Sequence, residues 1–178
     1  MIHLYGFDPG KTTGFFHGLI RDGKMAPLDA KEMNYKQVLK WCADEIENPE
    51  LGHTILIAED YTIDPITSGY SHQGDKGLAM RLLGALELTA TLAGYPFVLQ
   101  QRDRKPAGYG FAGGKYVKGK KGQHMQDALA HVTYYAVTQK MMVPPAPRKV
   151  PLPVSQKASS PRIFRTQSGS QWRKPDTP

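Results

Sequence analysis

The chain has a single cysteine, Cys42, among its 178 residues. It therefore has no internal disulfide partner, and without a CxxC pair a zinc-ribbon type of site is excluded. No apolar run reaches the roughly 18 residues that a membrane-spanning helix requires. The N-terminus, Met1-Ile2-His3-Leu4-Tyr5, lacks the pattern of a secretory signal. These absences lead to the expectation of a cytoplasmic protein with no membrane partner. A further scarcity is regional: after residue 100 the only acids are Asp103, Asp127 and Asp176.

What is present is the composition of a globular protein, 40% hydrophobic and 22% charged, at a length suited to one domain. The net charge of +7 divides unevenly. Residues 1–100 hold 8 basic and 13 acidic side chains, net −5, whereas residues 101–178 hold 15 and 3, net +12. A chain polarised in this way suits a polyanion, nucleic acid foremost.

Along the chain, Ile2 to Phe7 and Phe15 to Ile20 read as two strands joined by a polar turn, with a third strand near Met25 to Leu28. Tyr35, Val38, Leu39, Cys42 and Ile46 follow helical spacing, with Asn34 as N-cap and Asn48-Pro49 as stop. Thr54 to Ala58 is a continuous apolar strand, of the kind buried on both faces. Residues 61–77 read as a loop, residues 78–93 as a helix and Phe97 to Leu99 as a fifth strand. The stretch 102–122, rich in glycine and Lys/Arg, reads as a mobile basic loop, and Gln123 to Gln139 as the last helix. The Pro-rich basic segment 143–178 has too little apolar surface to offset the entropy of ordering and is expected to be a disordered tail to a domain spanning residues 1–142. The order predicts an α/β fold: a mixed five-stranded sheet, three antiparallel strands followed by alternating helix and strand, with helices on both faces.

Three acids stand where elements end or begin. Asp8 closes the first strand, Glu59 closes the fourth, and Asp127 is placed in the first turn of the last helix. If the first and fourth strands are neighbours, two carboxylates emerge at one edge and a helix laid across the sheet brings the third. Clustered carboxylates are compensated by a hard cation such as Mg²⁺. Taken singly, each is equally a turn residue, a surface charge or a favourable charge near a helix N-terminus. His124 and His131 share a helical stripe with Asp127; His124 lies in its turn, and His131, one turn deeper, reads as structural. The glycine turn Gly6 to Thr12 has one residue too few for a phosphate loop and leads into a strand, which argues against a nucleotide cofactor.

Gly6-Phe7-Asp8-Pro9-Gly10-Lys11-Thr12-Thr13-Gly14, Ile57-Ala58-Glu59-Asp60 and His124-Met125-Gln126-Asp127-Ala128-Leu129-Ala130, in that order, resemble the RuvC family of Holliday junction resolvases in the ribonuclease H-like superfamily. The resemblance covers residues 1 to about 140, and a small divergent resolvase of bacteriophage type would look like this. It implies a ribonuclease H-like fold and a homodimeric endonuclease, dependent on two Mg²⁺ or Mn²⁺ ions per site, that nicks opposing strands of a four-way DNA junction. Asp8, Glu59 and Asp127 would then be metal-binding catalytic carboxylates, and His124 would match the fourth position. Family members usually carry a helical segment between the fifth strand and the last helix, where this chain has the stretch 105–122.

Residue types suggest the DNA contacts. Lys11, Arg104, Lys105, Lys115, Lys118, Lys120 and Lys121 are candidates to neutralise phosphates, and Tyr61, Tyr109, Phe111 and Tyr116 to stack on unpaired bases. Apolar residues in excess of one buried face, including Met80 and Leu88, make helix 78–93 the candidate dimer interface. Other readings are a nuclease for flaps, forks or RNA–DNA hybrids, and a non-catalytic nucleic-acid-binding module.

Overall fold

The computed structural model describes residues 1–50, 52–61, 73–113 and 122–143. Five strands, β1 (Ile2–Asp8), β2 (Thr13–Arg21), β3 (Lys24–Met33), β4 (His53–Glu59) and β5 (Phe97–Gln100), form one sheet in the order β3-β2-β1-β4-β5. The first three are antiparallel; β4 pairs parallel to β1, and β5 parallel to β4. The helices are α1 (Tyr35–Glu47), α2 (Gln73–Ala93), α3 (Lys105–Phe111) and α4 (Gln123–Thr138). The predicted mixed sheet is therefore the observed one. No helix among the described residues is long and apolar enough to cross a membrane.

The two-residue period of β1 divides the core. Tyr5 and Phe7 point to one face and join Phe15, Leu56, Ala58, Val38 and Cys42 of α1, and Leu82, Leu83 and Leu86 of α2. Leu4 points to the other and joins Phe16, Ile55, Ile57, and Ala128, Val132 and Ala136 of α4. Both faces of β1 and β4 are thus covered, as the apolar run of β4 requires. α1 begins with a capping box: the Asn34 side chain accepts from the Gln37 N–H, and the Gln37 side chain accepts from the Asn34 N–H.

Three expectations are corrected. β3 runs on to Met33, well past Leu28; its side chains are mostly exposed, so backbone pairing with β2 holds an edge strand that apolar patterning does not mark. Residues 102–111 are no loop, but a 3₁₀ turn (Arg102–Arg104) followed by α3. A Cβ on Gly108 would lie 2.0 Å from the Ala130 carbonyl oxygen, so only glycine lets α3 lie against α4 at this point. Asp127 stands in the second turn of α4, since the helix begins at Gln123. The remainder of the predicted basic loop, residues 114–121, and the tail from 144 onward lie outside the described residues.

α4 also lies very close to the β1–β2 hairpin. Gly14, paired with Asp8 in the sheet, faces the backbone of His124; a Cβ there would meet the His124 carbonyl oxygen at 1.8 Å. Neither partner is a flexible side-chain tip, so Gly14→Ala forces backbone movement. Overpacking of this kind typically costs about 1–3 kcal/mol, and urea denaturation of Gly14→Ala is expected to show a loss at or above that range.

Candidate active site

Asp8, Glu59 and Asp127 are each at least 94% buried. Asp8 and Glu59 reach the same face because the parallel register of β1 with β4, Gly6 beside Ile57 and Phe7 beside Ala58, sets the even-numbered side chains of β1 with the odd-numbered ones of β4 and brings the strand ends side by side. α4, crossing that face, supplies Asp127 and His124. The three expected carboxylates thus come together from three separate elements.

At their centre stands Lys105, the first residue of α3. Its Nζ lies 2.5 Å from Glu59 Oε2, 2.9 Å from Asp127 Oδ2 and 3.1 Å from Asp8 Oδ1. Read from sequence as a solvent-facing phosphate contact, Lys105 is in fact buried, because α3 carries it inward. Burial disfavours its ammonium, yet Asp8 and Glu59 outweigh that and raise its pKa above the ordinary lysine value. Burial alone would raise Glu59 too, but hydrogen bonds with His131 and Asp8 and the Lys105 charge hold it well below the usual carboxylate range. Asp8 moves the opposite way, to about 6, chiefly through burial and against the pull of His124.

His124 Nδ1 lies 2.6 Å from Asp8 Oδ2, which raises the imidazole's pKa against the opposing effect of burial. With 46% of its side chain exposed, it forms the open rim of the site.

Around these groups is a supporting layer that residue patterns did not mark. The Tyr109 hydroxyl donates to Asp127 Oδ1 (2.5 Å), and Gln123 Nε2 donates to the same oxygen (2.9 Å) and to the Tyr109 hydroxyl (2.9 Å). Buried His131 bridges two neighbouring strands, with Nε2 3.3 Å from Glu59 Oε2 and Nδ1 3.1 Å from Gln100 Oε1. Its position one turn beyond Asp127 was the only sequence signal for that role. Asp60 donates its backbone N–H to the Gln100 carbonyl oxygen and closes the β4–β5 edge.

The other expected contacts fall out differently. Lys11 and Arg104 are exposed, and the Arg104 guanidinium lies 5.9 Å from the Tyr134 ring. Tyr109 is buried on Asp127, which removes it from base stacking; Phe111 stacks on Tyr134, and Tyr61 packs against the core beside α1 and α2. Lys115, Tyr116, Lys118, Lys120 and Lys121 lie outside the described residues.

The donors fit a hard divalent cation. Three carboxylates face one ammonium, leaving oxygen donors with net negative charge, and the buried Oε1 of Gln123 has no partner among the described residues. Asp8, Glu59, Asp127 and His124 would hold such an ion.

In overall structure the chain is similar to Thermus thermophilus RuvC in complex with a Holliday junction substrate, with a TM-score of 0.55 and 15% identity over 79% of this chain and 96% of that one. A second Thermus thermophilus RuvC structure matches with a TM-score of 0.53 and 16% identity, over 78% and 96%. The chain therefore has a RuvC-like α/β fold. No protein-family model and no curated protein matches the sequence.

Removing the ammonium while keeping its stem isolates its electrostatic part. Loss of one partner from a buried ion pair typically costs about 3–5 kcal/mol. Lys105→Met should lower the melting temperature in metal-free buffer, and added Mg²⁺ should raise it by more than it does for wild type. Equal Mg²⁺ shifts in both proteins would show that ammonium and metal do not share these carboxylates.

Proposed function

We propose that the chain is a divalent-cation-dependent endonuclease for branched DNA, with the four-way junction as its leading substrate. One observation carries the reading: in a RuvC-like fold, three buried carboxylates from β1, β4 and α4 converge on a single cationic point. Convergence is what the separate structural roles of the three acids do not explain.

Asp8, Glu59 and Asp127, with His124, would hold Mg²⁺ or Mn²⁺, two ions per site. When bound, such ions orient and activate water and stabilise the leaving oxygen of a phosphodiester. The chain's own residues prepare that chemistry. Tyr109 and Gln123 fix Asp127, and His131 fixes Glu59, so neither carboxylate swings freely. His124 holds a proton against Asp8 at the open rim, within reach of an entering phosphate. Lys105 keeps a positive charge beside the acids, which favours an approaching polyanion where bare carboxylates would repel it.

Lys11 and Arg104, together with the lysines of 115–121, provide the phosphate contacts. Paired nicks on a two-fold junction need two sites, hence a homodimer. Exposed Met80, Leu88 and Leu92 on α2 give the apolar surface for it, with Gly84 open among them.

A labelled four-way junction incubated with the protein and Mg²⁺ or Mn²⁺ tests the catalytic assignment. Wild type should give symmetric nicks, and Asp8→Asn and Glu59→Gln should lose at least about a hundredfold in rate while still binding the junction. Flap, fork and hybrid substrates alongside rank the alternatives. Binding without cleavage under every metal condition would leave a nucleic-acid-binding module as the function. For the dimer, light scattering at micromolar concentration should give twice the chain mass for wild type and the single mass for Leu88→Glu.

A further inference from the structure

β1 carries a second cluster of ligating side chains at its other end. Among the described residues, His3, His17 and Glu50 are the one His/Cys/Asp/Glu group whose ligand atoms, one from each, all lie within 4.8 Å of one another. His3 precedes Asp8 by five residues, which places the cluster roughly 16 Å along the strand from the acids. It lies on the opposite face, since His3 follows the odd-numbered alternation of Tyr5 and Phe7. The two groups of ligands are independent.

Sheet register builds the cluster. Tyr5 pairs with His17 and His3 with Leu19, so the two histidines are diagonal neighbours across the β1–β2 ladder. His3 Nδ1 lies 3.1 Å from His17 Nε2, and His3 Nε2 lies 3.9 Å from Glu50 Oε1. Two facing imidazole nitrogens at that distance carry one proton between them; a cation in its place would use both lone pairs.

The surroundings hold these ligands in place. The Tyr5 hydroxyl donates to Glu50 Oε2 at 3.4 Å, and the Tyr5 ring stacks on His17 with centroids 4.2 Å apart. Glu50's own backbone N–H donates to Glu45 Oε1 at 3.1 Å, an oxygen that also accepts from the Tyr95 hydroxyl at 2.8 Å. Glu50 is thus tied at side chain and main chain. Supports of this kind accompany real metal sites and tune their affinity. The His3 and Glu50 side chains are 13% and 36% exposed, so a cation there would be largely shielded yet could still enter from solvent.

From this geometry we infer that His3, His17 and Glu50 bind one late first-row divalent cation, Zn²⁺ foremost, at the end of the sheet remote from the acid cluster. Two imidazole nitrogens and one carboxylate oxygen favour Zn²⁺, Co²⁺ or Ni²⁺ over Mg²⁺, whereas the acid cluster has the reverse preference. Three protein ligands leave a further coordination position for water. Bound there, the ion would fasten the segment after α1 to the β1–β2 hairpin and stabilise the sheet end.

Opposed preferences make the test clean. The full-length protein, stripped with chelator and then held in excess Mg²⁺, is titrated with Zn²⁺ by calorimetry and with Co²⁺ by visible absorption. Wild type should take up one Zn²⁺ per chain, melt at a higher temperature with it, and give the intense absorption of low-coordinate Co²⁺. His17→Gln and Glu50→Gln should each weaken Zn²⁺ binding at least about tenfold and lose the Co²⁺ spectrum. Glu50→Gln, on a partly exposed segment, also guards against a folding defect mistaken for lost binding, with circular dichroism as the check. Failure of wild type to bind Zn²⁺ above Mg²⁺, or wild-type binding by both variants, overturns the inference. Neither readout depends on nuclease activity.

Discussion

One buried ammonium, that of Lys105, organises the cluster of acids at the sheet edge. Lys105 lies within 3.1 Å of carboxylate oxygens on β1, β4 and α4, the three elements that sheet pairing and core packing bring together. Without it, three acids at least 94% buried would face one another in a medium that screens charge poorly. The helix that carries Lys105 is only seven residues long and has no side-chain N-cap bond. Its placement comes instead from the close contact at Gly108, the buried Tyr109 and the ion pairs themselves. The basic residue therefore acts as part of the fold as well as of the acid cluster, and its charge holds the acids in position.

How far this was legible in the sequence depends on whether a local pattern carried it. Asp8 and Glu59 could be found because each ends an apolar strand, and the two-residue period fixes their face once the strands are adjacent. α1 was equally plain, with its cap, its stop and a regular apolar stripe. Lys105 was hidden because Pro106, Gly108 and Gly110 are poor helix formers, so α3 looks like loop and its lysine like one more surface charge. Tertiary contact with α4 overrides that local preference. His131 was visible only as a member of a stripe, since its bridge between Glu59 and Gln100 depends on strand pairing.

The cluster of His3, His17 and Glu50 was invisible for a related reason. Its members are separated by 14 and 33 positions in sequence, and nothing in that spacing matches a local metal motif. Only the hairpin register makes His3 and His17 diagonal neighbours, and only the turn after α1 brings Glu50 to them. Long-range geometry created this site, whereas local geometry announced the acids.

Strand β1 serves both clusters, with Asp8 on one face and His3 on the other. A slip of one residue in its pairing would invert every side chain it carries. Asp8 would be thrust among Phe15, Trp41 and the α2 leucines, while Phe7 would land between Glu59 and Lys105. Such a chain has no half-correct form: the error that misplaces the Asp8 carboxylate also buries a charge in oil and strands an ammonium against a benzene ring. Correct pairing of the sheet and correct placement of both clusters are thus set by the same seven residues.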